Sequence, residues 1–179
     1  MESQPGQQVY VIEDTGDRPL PEGTVPQILQ AVLARKRPFR FRARGVSMTP
    51  FVRDGDVITV APLRTGDPRL GDIVAFFSPG GEELIVHRVV RRRGEFSLIR
   101  ADNKPEADGL LPRSRVLGKV SRIERKEKRV RLGLGFDRVL IATLSRLGWL
   151  MPFVALTRRL LRPFRNLRGG AAIREDTDR

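Results

Sequence analysis

Four residues of the sequence, a serine, a histidine and two aspartates, have side chains that could together carry out hydrolysis through a covalent intermediate. Ser47 precedes His87, the only histidine of the chain, by 40 residues, and Asp102 and Asp108 follow in the polar segment 101–109. A serine hydroxyl becomes a strong nucleophile when a neighbouring base takes its proton, and neutral imidazole does this near neutral pH. A carboxylate on the other ring nitrogen orients the imidazole and stabilises its protonated form. These are the residue types that an acyl-transfer site requires, although each of them is also common in an ordinary turn, strand or loop.

Composition excludes several other kinds of site. The chain of 179 residues has no cysteine, which excludes a disulfide scaffold, a zinc finger, an iron–sulfur site and a thiol nucleophile. A single histidine excludes a polyhistidine metal site, and the sequence has neither a phosphate-binding glycine loop nor a set of metal ligands. With 40% apolar residues, the chain can form one domain with a buried core. We therefore expect no cofactor and no metal.

The net charge of +13 is concentrated in the last third of the chain. Residues 1–118 hold 18 basic and 15 acidic residues, whereas residues 119–179 hold 16 basic and six acidic residues, a net charge of +10. An excess of this kind favours an anionic partner. The partner is therefore expected to meet the C-terminal part of the chain rather than the segments that contain the candidate catalytic residues.

The elements that must position these residues fall into three parts of the chain. Residues 1–38 are interpreted as a polar N-terminal arm with a short edge strand near 9–12. The arm continues into a helix that starts at Thr24 and ends before Pro38. Residues 39–123 form the main domain, and residues 124–179 form a basic, partly apolar helical extension.

The main domain is predicted to be β-rich, because short runs of β-branched and aromatic residues alternate there with Gly, Pro and Asp. These runs lie at 39–42, 57–60, 73–77, 84–90, 96–99 and 116–120. Pro79 and the two glycines after it are expected to close a hairpin. The predicted fold class is thus mainly β: a small antiparallel β barrel or sandwich with a short N-terminal helix and a helical C-terminal extension.

The order of the motifs is more informative than any motif alone, since a turn serine, a strand histidine and an Asp-Asn loop are each common. The sequence contains GVSMTP, then Gly-Asp, GDIV, HRVV, a polar Asp-Asn loop and VLGKV. This series resembles the S24/S26 serine peptidase superfamily, which includes the type I signal peptidases and the LexA-like self-cleaving repressors. The resemblance covers residues 39–123, about half of the chain, and implies a mainly β fold of the signal-peptidase/LexA type.

The resemblance also implies roles for single residues. It assigns the nucleophile to Ser47 and the general base to the residue before the Arg of the later strand. Most bacterial signal peptidases and LexA-like proteins have Lys there, whereas this chain has His87, which is similar to the Ser/His branch of the endoplasmic reticulum, archaea and sporulating Gram-positive bacteria. An Asp of the following loop assists in that branch. Asp102 matches it, with Ala101 in place of the usual Gly, and Asp108 is the alternative.

The turn around the nucleophile is expected to shape both the oxyanion site and the substrate cleft. Gly45 permits unusual backbone angles, and backbone N–H groups at Gly45, Val46 and Met48 are candidates for the oxyanion site or for shaping the turn. Met48, Pro50 and Arg88 are expected to line the substrate cleft. Arg88 is expected either to pair with a carboxylate near the site or to be solvated.

The C-terminal extension has the composition of a membrane-surface segment. Residues 139–156, VLIATLSRLGWLMPFVAL, carry one charge, and five arginines interleaved with apolar residues follow up to residue 168. Eighteen residues is the lower limit of a spanning length, and Arg146 at the centre costs about 2.5–3.5 kcal/mol on insertion. The pattern favours residues 139–168 lying on an anionic bilayer over a helix packed on the domain or a true span.

The resemblance implies a serine endopeptidase of signal-peptidase type that cleaves a peptide or preprotein, and the composition of residues 139–168 predicts that it is membrane-associated, otherwise cytoplasmic. A LexA-like module that binds DNA or a protein, and a catalytically inactive family member, are the alternatives. Nucleic acid is not the expected partner, because the helix near 24–36 has no second helix to complete a helix-turn-helix. Self-cleaving relatives cut at Ala-Gly or Cys-Gly, and neither dipeptide occurs here. The substrate and the oligomeric state stay open.

Overall fold

The computed structural model describes residues 10–12, 24–79, 83–150, 152 and 155–156. Within these residues, nine strands form one sheet that carries two α-helices. The strands are β1 (Tyr10–Ile12), β2 (Phe39–Arg42), β3 (Val57–Ala61), β4 (Ile73–Phe77), β5 (Leu84–Arg93), β6 (Phe96–Arg100), β7 (Ala107–Pro112), β8 (Val116–Arg125) and β9 (Lys128–Val130). The helices are α1 (Thr24–Ala34) and α2 (Asp137–Arg146), and a 3₁₀ turn at Arg113–Arg115 precedes β8.

The strand order is β1-β2-β3-β8-β4-β5-β6-β7, and β9 pairs with the end of β8. Every pair is antiparallel except β1 with β2, which is parallel. The mainly antiparallel β fold is therefore confirmed. In the described part of the chain, the end strands β1 and β7 do not pair with each other, so the sheet does not close into a barrel.

The hydrophobic core lies on both faces of the sheet, and strand β4 separates its two halves. Ile73 and Ala75 belong to the larger core cluster, whereas Val74 and Phe76 belong to a second cluster with residues of β5, β6 and β8. Successive side chains of a strand point to opposite faces, so a strand covered on both sides is apolar throughout. The larger cluster also contains three residues of α1: Leu29, Val32 and Leu33.

All of the predicted strands are present; β7 and β9 are additional, and β5 and β8 are longer than expected. β8 continues to Arg125, past the boundary at 123 that the sequence pattern favours, and forms a hairpin with β9. The sequence pattern does not predict β7, because Gly109, with φ at +111°, and Pro112 are typical of turns. An edge strand tolerates both residues, and β7 pairs only with β6 in the described sheet. Residues 80–82, within the expected β4–β5 hairpin loop, lie outside the described residues.

The C-terminal part begins with α2 and turns at Leu147 and Gly148, where φ is +75°. Helices of the described residues are all too short or too polar to cross a membrane. Residues 157–168, which belong to the expected membrane-surface segment, lie outside the described residues.

Asp67 is a buried carboxylate that links the loop before β4 to β8. Burial by itself would raise the pKa of Asp67. The hydrogen bonds from Lys119 Nζ, at 2.8 Å, and from the Arg64 N–H, at 3.0 Å, together with the charges of Lys119 and Arg69, outweigh this effect and lower the pKa below its ordinary value. Ionised Asp67 therefore stabilises the folded chain.

We expect Asp67→Asn to lower the free energy of unfolding by about 1–3 kcal/mol at neutral pH, because the amide removes the negative charge beside Lys119 and keeps only one of the two acceptor oxygens that Lys119 and the Arg64 N–H use. A pKa that is lower in the folded than in the unfolded state contributes stability above the unfolded value, and this contribution is lost as pH falls through the folded value. Urea denaturation across that range should show the two proteins converging towards acid pH. The exposed Glu95→Gln is the control, and an unchanged gap at low pH would contradict this account.

Candidate active site

Ser47 lies on a short turn that follows β2 and is held in place by hydrogen bonds. Gly45 has φ at +89°, a left-handed conformation that strains other residues. Its N–H donates to Asp54 at 2.9 Å, and the Thr49 N–H donates to the Val46 carbonyl at 3.0 Å. The turn thereby presents a half-buried Ser47 side chain at the end of the strand.

His87 lies in the middle of β5, opposite Val74 of β4. Its side chain contacts two of the other candidate residues, Ser47 and Asp108. Its Nε2 lies 3.1 Å from Ser47 Oγ, and its Nδ1 lies 2.6 Å from Asp108 Oδ2. The Phe76 ring packs edge-on against the imidazole, with ring centroids 6.3 Å apart. His87 is 7% exposed, so the ring is held by packing as well as by hydrogen bonds.

The two hydrogen bonds determine how the imidazole can act. An ionised carboxylate only accepts, so Nδ1 carries the hydrogen and donates it to Asp108. In the neutral ring Nε2 is then the unprotonated nitrogen, and it accepts the hydrogen of the Ser47 hydroxyl. This is the tautomer that a general base needs in order to take a proton from a serine nucleophile.

Asp102, which the sequence resemblance placed beside His87, lies instead on Arg88. Arg88 Nε donates to Asp102 Oδ1 at 2.9 Å and Nη2 donates to Oδ2 at 2.7 Å, a bidentate pair with both side chains fully buried. The remaining nitrogen, Nη1, donates at 2.9 Å to the carbonyls of Gly71 and Gly133. A buried guanidinium needs a carboxylate partner, which accounts for the inward orientation of Asp102.

The residue after Asp102 forms hydrogen bonds with the backbone of the nucleophile turn. The Asn103 N–H donates to the Ser47 carbonyl at 2.8 Å, and Asn103 Nδ2 donates to the Val46 carbonyl at 3.3 Å. Arg88 follows His87 directly, and Asn103 follows Asp102 directly. The Arg88–Asp102 pair therefore joins the strand of the base to the turn of the nucleophile, although neither residue touches the Ser47 hydroxyl.

Two residues expected in the substrate cleft, Met48 and Arg88, are buried instead. Met48 is 4% exposed and belongs to the larger core cluster, because the turn directs its side chain inwards. Arg88 is fully buried, with its guanidinium 5.2 Å from the centroid of the Phe51 ring, so it lines no open cleft. Pro50 is half-buried, and Val46 is 63% exposed beside the nucleophile.

The sequence profile of the Peptidase S24-like family matches residues 2–121, more than half of the chain. The chain belongs to the S24-like peptidase family. The matched range contains Ser47, His87, Asp102 and Asp108, and the antiparallel sheet is consistent with the S24 fold. No curated protein matches the chain in sequence. Membership of the S24-like family supports a serine peptidase or a LexA-like module.

Asn103 is the residue near the site that the sequence did not single out. The sequence resemblance points to its neighbour Asp102, as a partner of the base. The preference for Asp108 at His87 depends on β7, which starts at Ala107 and pairs with β6.

Proposed function

We propose that this S24-like protein is a serine endopeptidase of signal-peptidase type, with Ser47 as the nucleophile, His87 as the general base and Asp108 as the residue that orients the base. The observation that carries the proposal is the continuous hydrogen-bonded chain from Ser47 Oγ to His87 Nε2 and from His87 Nδ1 to Asp108. Each atom in it has the donor or acceptor role that acyl transfer requires.

The reaction follows from these roles. Ser47 Oγ attacks the carbonyl carbon of the substrate peptide bond while its proton passes to His87 Nε2. The protonated imidazole, stabilised by Asp108, then gives the proton to the leaving amine, and the acyl group stays on Ser47. Water, deprotonated by His87, hydrolyses the ester and restores the free enzyme. Neither the Ser47 nor the Met48 N–H donates a hydrogen bond to any described residue, so both are free to bind the oxyanion.

The proposed substrate is a peptide or preprotein segment, and the resemblance to signal peptidases adds a preference for small side chains before the cleaved bond. The proposed location is a membrane surface, bound through residues 139–168. Support for this location comes from the single charge in 139–156 and from the five arginines that follow. A LexA-like binding module is the second candidate, favoured by the net charge of +10 over residues 119–179.

Cleavage of a defined peptide library by the purified full chain tests the function directly. Unstructured peptides that contain runs of small residues are incubated with the protein, and the cut bonds are identified by mass spectrometry. A fluorophosphonate probe is applied in parallel, and the modified residue is located by peptide mapping. We expect cut peptides and an adduct on Ser47. Intact peptides together with an unmodified Ser47 would favour the binding module over the enzyme.

Asp108→Asn tests the third residue of the proposed triad. The amide offers an N–H where the imidazole N–H needs an acceptor, so the wrong tautomer is favoured and peptide cleavage should slow by about 10²-fold. The effect should be smaller than the ~10⁴-fold known for a buried triad aspartate, because the Asp108 side chain is 29% exposed and water can replace part of its role.

Glu106→Gln, an exposed change just before β7, is the matched control and should leave the rate unaltered. Steady-state kinetics on one cleaved peptide provide the measurement. An Asp108→Asn enzyme with the wild-type rate would exclude Asp108 as the orienting residue.

A further inference from the structure

Helix α2 buries only a narrow strip of its surface against the sheet. The side chains that it buries are Ile141, Ala142 and Ser145. Ile141 packs with Leu150 and with Phe51, which lies four residues after Ser47. The Ser145 carbonyl accepts a hydrogen bond from Arg100 of β6. The helix is thus fixed to the domain close to the nucleophile turn.

The opposite surface of this region is apolar and exposed. Phe136 is fully exposed, Leu140 is 58% exposed and Leu147 is 60% exposed, and helical spacing places the three on one side. Val139, 44% exposed, lies on the same helix, and Trp149, 69% exposed, lies two residues after Leu147, just past the end of the helix. We call these five residues the α2 face. An exposed apolar patch of this kind is typical of an interaction site.

The charges around the α2 face indicate what it meets. Residues 137–174 contain eight arginines and one acidic residue, Asp137, whose carboxylate accepts a hydrogen bond from the Gly133 N–H. The first of these arginines, Arg138, is paired with Asp72 at 3.0 Å. Arg146 is exposed on α2, and Arg131 is exposed just before it. A second copy of the chain at this face would bring arginines against arginines, which is unfavourable in a desolvated interface. An anionic lipid surface accepts both the apolar side chains and the arginines.

We propose that the α2 face docks onto an anionic phospholipid bilayer. This inference rests on the proposed membrane association and names the surface that makes contact. Apolar side chains enter the interfacial region, Trp149 lies at the level of the headgroups, and the flanking arginines pair with lipid phosphates. Because Phe51 packs under α2, docking holds the Ser47 turn near the lipid surface, where a membrane-bound peptide would be presented.

Trp149 is the only tryptophan of the chain, so its fluorescence reports directly on the α2 face. The full chain is mixed with vesicles of phosphatidylcholine alone or with equal parts of phosphatidylglycerol. We expect co-sedimentation with the anionic vesicles only, a blue shift of the emission, protection from aqueous acrylamide and quenching by brominated lipids. Binding to vesicles with Trp149 still open to acrylamide would mean that the basic tail alone binds, and would overturn the assignment of the face.

Two further outcomes also overturn the proposal. Failure to bind any vesicle would exclude both the face and the membrane association, while peptide cleavage would still be measured independently. Protection of Trp149 without lipid would show that another part of the chain or a second copy covers the face, and sedimentation velocity separates these two. The Ser47→Ala variant should bind vesicles as the wild type does, so a loss of catalysis cannot be mistaken for a loss of docking.

Single substitutions test which residues make contact. Phe136→Ser and Leu140→Ser should each weaken partitioning into anionic vesicles by about tenfold, because each removes one large apolar side chain from the lipid. Phe96→Ser is the matched control, since Phe96 is 48% exposed on β6, outside the α2 face. Equal partitioning of Phe136→Ser, Leu140→Ser and the wild type would overturn the proposal.

Discussion

Replacing Ser47 or His87 by alanine is expected to reduce peptide cleavage by at least about 10³-fold, with the fold preserved. Ser47→Ala removes the atom that forms the acyl intermediate, and His87→Ala leaves the hydroxyl protonated at neutral pH. The two effects should not add in the double variant, because both residues act in the same step. The measurement is kcat/KM for one peptide cut by the wild type.

The controls separate loss of chemistry from loss of structure. Ser121→Ala changes an exposed serine of β8 whose hydroxyl donates only to the Thr59 carbonyl among described residues, and it should retain full activity. Far-UV circular dichroism and the urea midpoint should match the wild type for Ser47→Ala. If Ser47→Ala still cleaves the peptide at the wild-type rate, Ser47 is not the nucleophile and the proposed mechanism is wrong.

Breaking the Arg88–Asp102 pair is expected to have the largest effect on stability, about 3–5 kcal/mol for Asp102→Asn. Both side chains are fully buried, and Asn cannot neutralise the guanidinium that it would still contact. Arg88→Met should be destabilising by a similar amount, because it leaves the Asp102 carboxylate buried and also removes donors from the Gly71 and Gly133 carbonyls.

A double-mutant cycle distinguishes the pair from its surroundings. The Arg88→Met/Asp102→Leu protein removes both charges, so its destabilisation should be well below the sum for Arg88→Met and Asp102→Leu alone. Arg122→Met is the control, since Arg122 pairs with Glu124 with half of its own side chain exposed, and its loss should change stability by less than about 1 kcal/mol. Urea denaturation gives all values. Additive effects at the buried pair would contradict the coupling.

The same pair explains how stability and the site are connected. His87 and Arg88 are consecutive on β5, so their side chains point to opposite faces of the sheet. His87 contacts Ser47 and Asp108 on one face, while Arg88 holds Asp102 on the other. The Asn103 N–H then bonds the Ser47 carbonyl. A change at Asp102 should therefore reduce activity through the position of Ser47 as well as through stability.

The nucleophile and base candidates could be found from the sequence, because they depend on local motifs. Three such motifs can be recognised in the sequence: the Ser-Met turn, the single histidine before an arginine, and the order of the glycine-aspartate turns. Strands β1 to β6 and the first half of β8 could be predicted for a similar reason. Alternation of apolar residues between turn residues is a property of each segment, and it does not depend on which strands become neighbours.

The choice between Asp102 and Asp108 could be made only in three dimensions. The two carboxylates are six residues apart in one polar loop, and nothing local distinguishes them. Pairing of β7 with β6 brings Asp108 to the imidazole, while the buried guanidinium of Arg88 attracts Asp102 to the other side of the sheet. A buried charge is matched by its tertiary neighbours, and the chain sequence does not say which residues those are.

In the C-terminal region, too, some features follow from the sequence and others only from the tertiary structure. The sequence by itself determined that an apolar stretch with one arginine is followed by five more, which is a property of composition. Only the tertiary structure decided which side of α2 is available for binding. Ile141, Ala142 and Ser145 are taken by the domain, which leaves Phe136, Leu140 and Leu147 facing outwards. Which side of a helix is buried depends on what packs against it. Because α2 has apolar residues on more than one side, its sequence does not specify the buried side.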